Sequence, residues 1–479
     1  MQTQSGSHEM SELHAIVLAA GHGKRMKSTL PKVMHPVAGR PLVHYPIASA
    51  LQAGAQCAIV VVGHERERVM PYLARAFGGR VQIAIQHEQN GTGHAAAQAL
   101  PALPPTATRV LILCGDTPLL SSRDLQALAK ALEDNPNVPL AMLTCIVEDP
   151  TGYGRMIRDS SGRIVEIREH RDLENDEQRA IREVNPGVYC ARLDFLRKAL
   201  GEIDSNNAQG EFYLTDIVAI AVKSGGTVDV SADARTLLGV NDRAQLAEAE
   251  TFMQGRITHR LRQSGVTVRD GAVIHDTVTI SPDATIENGA TLRGTTTIGA
   301  GAIIDVGCVV EDSFVGDGAV LRPYTVVTCS RIEAGSRVGP FAHIGMESVI
   351  GEHAQVGNFV ETKKTMLHRN AKANHLAYLG DAEIGDGASI GAGTIFCNDD
   401  GYQKHRTKIG AGAFIGSNCK LVAPVEVGRD AYVATGTTVT QDVPDEALAI
   451  GRSRQENKEE YAPKLRSRLK AAARVKSEA

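Results

Sequence analysis

The chain has 479 residues, of which 22% are charged, and a formal net charge of -4 at pH 7. That length exceeds one ordinary core, so two or more domains are expected, and the near-balanced charge argues against a general nucleic-acid binder. No stretch approaches the ~20 apolar residues that span a bilayer. The eight cysteines contain no CxxC pair, which fits free thiols in a reducing cytoplasm better than a zinc site.

Residues 1–12 are polar and lack an apolar signal core, which predicts a disordered N-terminus. From 13 to 241, apolar runs at 14–20, 57–62, 81–85 and 110–113 alternate with helix-forming stretches. That alternation predicts a three-layer, Rossmann-like α/β domain with a mainly parallel sheet, binding ligands at the carboxyl ends of its strands. Residues 242–264 contain no proline and many helix formers, and predict a connecting helix. From 265 to 450 an aliphatic residue returns every sixth position, as at Ile280, Ile286, Leu292, Ile298, Ile304 and Val310, and again at Val338, Ile344, Ile350 and Val356. A period of six fits a parallel β-helix of about ten coils, each hexad being a short strand and a turn. The beat breaks at 360–379, which predicts an insertion there, where function often resides. Residues 451–479 are basic; they read as a solvated tail or as a strap over an anionic ligand or a neighbouring subunit.

Leu18-Ala19-Ala20-Gly21-His22-Gly23-Lys24-Arg25-Met26 follows the first strand directly. Glycines two apart let consecutive N–H groups turn inward as an anion nest. Arg25 and Lys32 add charge. The loop is not a Walker A sequence, and Met26 stands where a dinucleotide fingerprint needs a third glycine. A plain tight turn also explains two glycines. The wider series is more specific: Pro31-Lys32, Gln86 with Gly91-Thr92-Gly93-His94, Gly115-Asp116, Gly152-Tyr153-Gly154-Arg155, Glu169-His170, Asn185 and Gly239-Val240-Asn241 follow in order. This series resembles the sugar-phosphate nucleotidyltransferases. With the hexad prism behind it, the chain from 13 to 452 resembles the bacterial bifunctional N-acetylglucosamine-1-phosphate uridyltransferase/glucosamine-1-phosphate acetyltransferase family.

The resemblance implies a left-handed β-helix and two reactions. In one, N-acetylglucosamine-1-phosphate attacks the α-phosphorus of UTP and pyrophosphate leaves. Asp116 and Asn241 would hold Mg²⁺, an ion that takes hard oxygen ligands. Lys32 and Arg25 would offset triphosphate charge. Leu18, Ala19, Ala20 and Gly21, with Gln86, Gly91 and Thr92, would cradle the nucleotide, and Gly154, Glu169 and Asn185 the sugar. In the other, acetyl-CoA acylates glucosamine-1-phosphate with His375 as general base. Lys363, Tyr378 and Ser389 would bind that sugar phosphate, and Asn398, Lys404, Ser417, Thr435 and Arg452 the acetyl-CoA. The resemblance further implies a cytoplasmic homotrimer making UDP-N-acetylglucosamine, a precursor of peptidoglycan and lipopolysaccharide.

Several positions depart from the family pattern. Cys114 stands for a tyrosine and Pro186 for a threonine. Gly345 stands for a phosphate-binding arginine, Ser389 for an asparagine and Asp399 for a tyrosine. A lost charged hydrogen bond weakens binding roughly ten- to 150-fold, whereas a lost base costs about 10²–10⁴ in rate. The base remains, so acetyl transfer is expected with weakened sugar-phosphate recognition. Three other readings stay open: a prism serving only as trimerisation scaffold, another nucleotide-sugar product, or a zinc site using His343, His353 or His375.

Overall fold

A computed structural model describes residues 12–477. The expected disordered N-terminus lies outside the described residues except for Glu12, which opens the first strand. Two compact units divide the chain: residues up to Arg260 with Ile274–Thr277, and Leu261–Val273 with Val278 onward.

The first unit is built on a ten-stranded sheet. Val81–Ile85, Ala58–Val62, Glu12–Ala19 and Ala107–Cys114 lie side by side, all parallel. These are the four apolar runs of the sequence. Alternate side chains of the first strand enter opposite cores. Ala15 and Val17 pack on one face with Val60 and Leu111, and Ile16 on the other with Ile59 and Ile112. His44–Gln52, Arg66–Phe77 and Ser122–Asp134 bury their apolar stripes on the first face. Thr92–Ala99, Leu193–Glu202 and Ile217–Lys223 do so on the second.

In the other half of the sheet the strand directions are mixed, with Thr227–Ser231 parallel to Leu140–Ile146. Tyr189–Arg192 runs antiparallel between Ala107–Cys114 and Leu140–Ile146. Glu183–Asn185, Gly154–Arg158 and Ile164–Arg168 continue as an antiparallel ribbon. These last strands are short and interleave Arg and Glu with apolar residues, so they carry no continuous apolar run.

A helix spans Arg243–Gln263. The second unit then winds as a prism with three parallel sheets of eleven, ten and nine strands. Ile286, Leu292, Ile298, Ile304 and Val310 point inward and are fully buried. Each such side chain contributes about 1.5–3 kcal/mol relative to exposure.

Residues 360–379 form no insertion. Glu361–Lys363, Met366–Leu367, Lys372–His375 and Tyr378–Gly380 keep the coil running. The beat is masked because Thr362 and Ala373 fill inward places that elsewhere hold Val or Ile. It also slips in phase: Ile286 pairs with Ile304 eighteen residues on, but Val356 with Ala373 after only seventeen. The true excursion is a loop near 399–406, which places Ile415 twenty-five residues beyond its partner Ile390. The basic tail is helical over Tyr461–Ser477 and exposed as far as residue 473.

Candidate active sites

In the first unit, the turn after the first strand opens onto a cavity at the carboxyl ends of the parallel strands. Leu18, Ala19, Ala20, Gly21, Lys32, Gln86, Gly91, Thr92 and Asp116 all line it. Gly115 N–H donates to Leu18 O at 2.9 Å, which fixes the two strand ends against each other. Gln89 Nε2 donates to Ala20 O at 2.7 Å and holds the glycine turn. Gly91 has φ of +107°, and a Cβ there would meet Phe212 O at 2.5 Å. Only glycine fits that approach.

Gln86 is buried, and its Nε2 faces Gly91 O at 3.1 Å and His94 Nδ1 at 3.0 Å. Its carbonyl end is left as the acceptor for a ligand amide. Lys32 Nζ reaches Asp116 Oδ2 and sits 3.2 Å from Asn241 Oδ1. The loop carrying Asn241 is tied in turn: Val240 N–H donates to Asp116 O at 2.8 Å, and Asn241 N–H to Gln245 Oε1 at 2.8 Å. Two oxygens from distant segments thus converge on one cationic nitrogen. Arg25 is exposed on the short turn Lys24–Met26 and does not line the cavity.

Gly154, Glu169 and Asn185 are brought together beside the antiparallel ribbon. Asn185 pairs in register with Gly154, and a Cβ on Gly154 would lie 3.4 Å from Glu169 Oε1. Thr215 Oγ1 donates to Glu169 Oε1 at 3.2 Å. Burial raises the Glu169 carboxyl above its ordinary value; the Thr215 bond opposes this, and Asp172 and Asp216 add to it. Asn185 is committed at both ends, donating to Tyr189 Oη at 2.7 Å and accepting from Gly187 N–H at 3.0 Å. Cys114 lines the cavity with its thiol 3.7 Å from Gly187 O. His22, Gln89 and Glu211 line it too. The signal for His22 and Gln89 in the sequence was only their place inside or beside the quoted motifs, and Glu211 closes the polar run 206–211.

In the second unit the expected residues fall into two groups. His375 is the last residue of the strand Lys372–His375, paired in register with Asn358. Its Nδ1 stands 2.9 Å from Asn358 Oδ1. Ser417 and Thr435 follow in turns of higher coils, joined by Asn418 N–H to Ala392 O at 2.7 Å and Gly436 N–H to Ser417 O at 2.9 Å. Arg452 Nη1 donates to Thr435 O. Ser389 sits on the sheet itself, beside Lys372.

The neighbouring sheet holds the second group. Lys363 pairs with Gly380, and a Cβ on Gly380 would lie 2.7 Å from Tyr378 Oη and 2.6 Å from Asn398 Nδ2. Asn398 donates to Asp381 Oδ2 at 2.6 Å. Lys404 pairs with Asp399, which raises its pKa first through that contact; burial opposes, and Asp399, Tyr378 and Asp381 add charge. A side chain at Gly345 would start 3.9 Å from Lys363 Cβ but only 2.8 Å from Thr362 O.

A glycine turn and a carboxylate at the parallel end of an α/β sheet, followed by a hexad prism, define a nucleotidyltransferase joined to a hexapeptide transferase. Residues 15–179 match the MobA-like NTP transferase domain, and residues 406–441 match the bacterial transferase hexapeptide, six repeats. The chain is 58% identical over 466 residues to the bifunctional protein GlmU of Sorangium cellulosum, covering 96% of this chain and 98% of that protein. It is 45% identical to GlmU of Pelobacter propionicus (96% of this chain, 100% of that one) and 46% to GlmU of Brevibacillus brevis (95% and 98%). The chain belongs to the GlmU family of bifunctional transferases, and its prism is the left-handed hexapeptide β-helix. No helix among the described residues is long and apolar enough to cross a membrane.

Proposed function

We propose that the chain makes UDP-N-acetylglucosamine from glucosamine-1-phosphate, acetyl-CoA and UTP. The observation that carries the uridylyl half is Lys32 Nζ, held between Asp116 and Asn241 oxygens at the mouth of the glycine cradle. A site that already gathers oxygens around a cation, and offers hard donors, fits Mg²⁺. Asp116 and Asn241 would hold it, and once bound it supplies charge neutralisation for the triphosphate. The glycine turn presents N–H groups to phosphate oxygens, and Lys32 adds positive charge. Gln86 reads the base through its free carbonyl. Glu169 and the backbone at Gly154 accept and donate to sugar hydroxyl and amide groups. No protein nucleophile is needed, because positioning and charge offset carry a phosphoryl transfer of this kind.

For acetyl transfer, Asn358 accepts from His375 Nδ1, leaving Nε2 with the lone pair that takes the amine proton. Lys363 and Tyr378 bind the sugar phosphate without help from position 345. Asp399 claims Lys404, a residue assigned to acetyl-CoA, so the affinity for acetyl-CoA is expected to be lower than with that lysine free. A prism acting chiefly as scaffold draws its support from this same ion pair. Tyr324, Phe341 and Phe359, stacked on one another and exposed on the prism, support a homotrimer, and eight free thiols support a reducing cytoplasm.

The test is incubation with UTP, Mg²⁺, acetyl-CoA and glucosamine-1-phosphate, with mass identification of products. UDP-N-acetylglucosamine is the expected product. UDP-N-acetylglucosamine formed from added N-acetylglucosamine-1-phosphate, with no acetylation of either glucosamine-1-phosphate or glucosamine, would leave the scaffold reading. No nucleotide sugar from either mixture would end the proposal.

A further inference from the structure

Arg155 is the most buried arginine side chain of the first unit, only 1% exposed. A guanidinium taken out of water normally meets a carboxylate. Here Nη1 donates to the carbonyl of Tyr153, Nη2 stands 3.4 Å from His170 Nδ1, and Nε is buried with no acceptor among the described residues. Burial lowers the pKa of the group, with Asp149 favouring its charge and Arg179 opposing it.

The two groups it touches are neighbours of the sugar subsite. Tyr153 O belongs to the peptide that ends on Gly154. His170 follows Glu169 in the chain, in the turn closed by Asp172 N–H on Glu169 O at 2.9 Å. Arg155 itself pairs in register with Arg168 across the ribbon. One planar fork therefore ties the segment before Gly154 to the segment after Glu169. Lys carries three donors on a single nitrogen, so it cannot reproduce two contacts made from separate nitrogens of a fixed fork.

We propose that Arg155 is a positioning residue of the sugar-1-phosphate subsite, bracing the Gly154 backbone against the Glu169 carboxylate without touching substrate. The inference rests on the assignment of Gly154 and Glu169 to the sugar. It places the specificity of the subsite in the spacing of two strand ends, set from behind.

The test measures KM for N-acetylglucosamine-1-phosphate and for UTP separately, in wild type, Arg155→Lys, Arg155→Met and His170→Ala. Arg155→Lys should raise the sugar-phosphate KM roughly tenfold, the loss expected for one charge-assisted contact. Arg155→Met should raise it further, and the UTP KM should stay within about twofold in both, because Gln86 and the glycine turn lie on other strands. His170→Ala, at a half-exposed position, should show a smaller rise in the same direction. Equal rises in both KM values, or none, overturn the proposal. Should the Arg155 variants fail to fold, an unchanged sugar-phosphate KM in His170→Ala overturns it alone. If wild type instead accepts a different sugar-1-phosphate, the substrate assignment falls, and the same comparison on that sugar still decides the brace.

Discussion

Asp216 lies half-buried at the start of the helix Ile217–Lys223, next to the Thr215 that donates to Glu169. Burial first, then Asp204, Asp172 and Glu166, push its carboxyl from 3.8 up to about 6. The folded chain therefore binds this proton more tightly than the unfolded chain does. The stabilising contribution is complete below pH 3.8 and is lost as pH rises through about 6. At pH 7.5 the ionised group works against the fold. At about 1.4 kcal/mol per pKa unit the unscreened cost is about 3 kcal/mol. Water reaching the half-exposed carboxylate reduces it to about 1–2 kcal/mol. Asp216→Asn keeps the shape and removes the charge. Its first-unit melting transition at pH 7.5 should lie roughly 2–8 °C above wild type, and the gap should close by about pH 4. Thermal unfolding from pH 4 to 8 reads both. A variant no more stable than wild type at pH 7.5, or a gap that ignores pH, refutes the reasoning.

Asp116→Ala should leave the protein folded while pyrophosphate release falls about 10²–10³-fold, the loss typical of a pre-aimed electrostatic group; a coupled pyrophosphate assay with circular dichroism checks it. Asp399→Ala releases Lys404 and should lower the KM for acetyl-CoA, by up to roughly fivefold for an exposed pair, with uridylyl transfer as the unaffected control. His44 is half-buried and stacked on Phe77 with ring centroids 4.9 Å apart, and burial, reinforced by Arg40, lowers its pKa from 6.5 to about 4. That stability is whole above pH 6.5 and drains away as pH falls through about 4, so wild type should lose about 1–2 kcal/mol by pH 5 from this partly solvated group. His44→Phe should flatten that limb in denaturant titrations at pH 7 and 5.

Legibility tracked how much of each element's role is carried by a local pattern. The central parallel strands are buried on both faces, so residues such as 58–62 read as continuous apolar runs. The ribbon around Gly154–Arg158 is stabilised by cross-strand pairing between Arg and Glu, as in Arg158 with Glu183 at 2.6 Å, and so carried no run to see. The hexads were legible because most inward places hold Val, Ile or Leu, and were lost to view where Thr362 and Ala373 fill them with smaller groups. For the sites, the glycine turn and Asp116 belong to compact motifs and were found together. Arg25 was drawn in by adjacency in sequence, but its side chain leaves the cavity behind. Asp399 on Lys404 could not be anticipated, since it depends on how the loop near 399–406 folds back on itself.

The slip from eighteen to seventeen residues per turn of the prism has a consequence for how such a chain can change over time. In a flat sheet, adding or removing one residue reverses the facing of every side chain beyond it. In the prism each rung bonds only to the rungs above and below, so a length change is absorbed at a corner and forgotten one rung later. Corners are thus free ground for trial, where a loop can lengthen or a polar group can be exchanged while the stacked interior goes on unaltered.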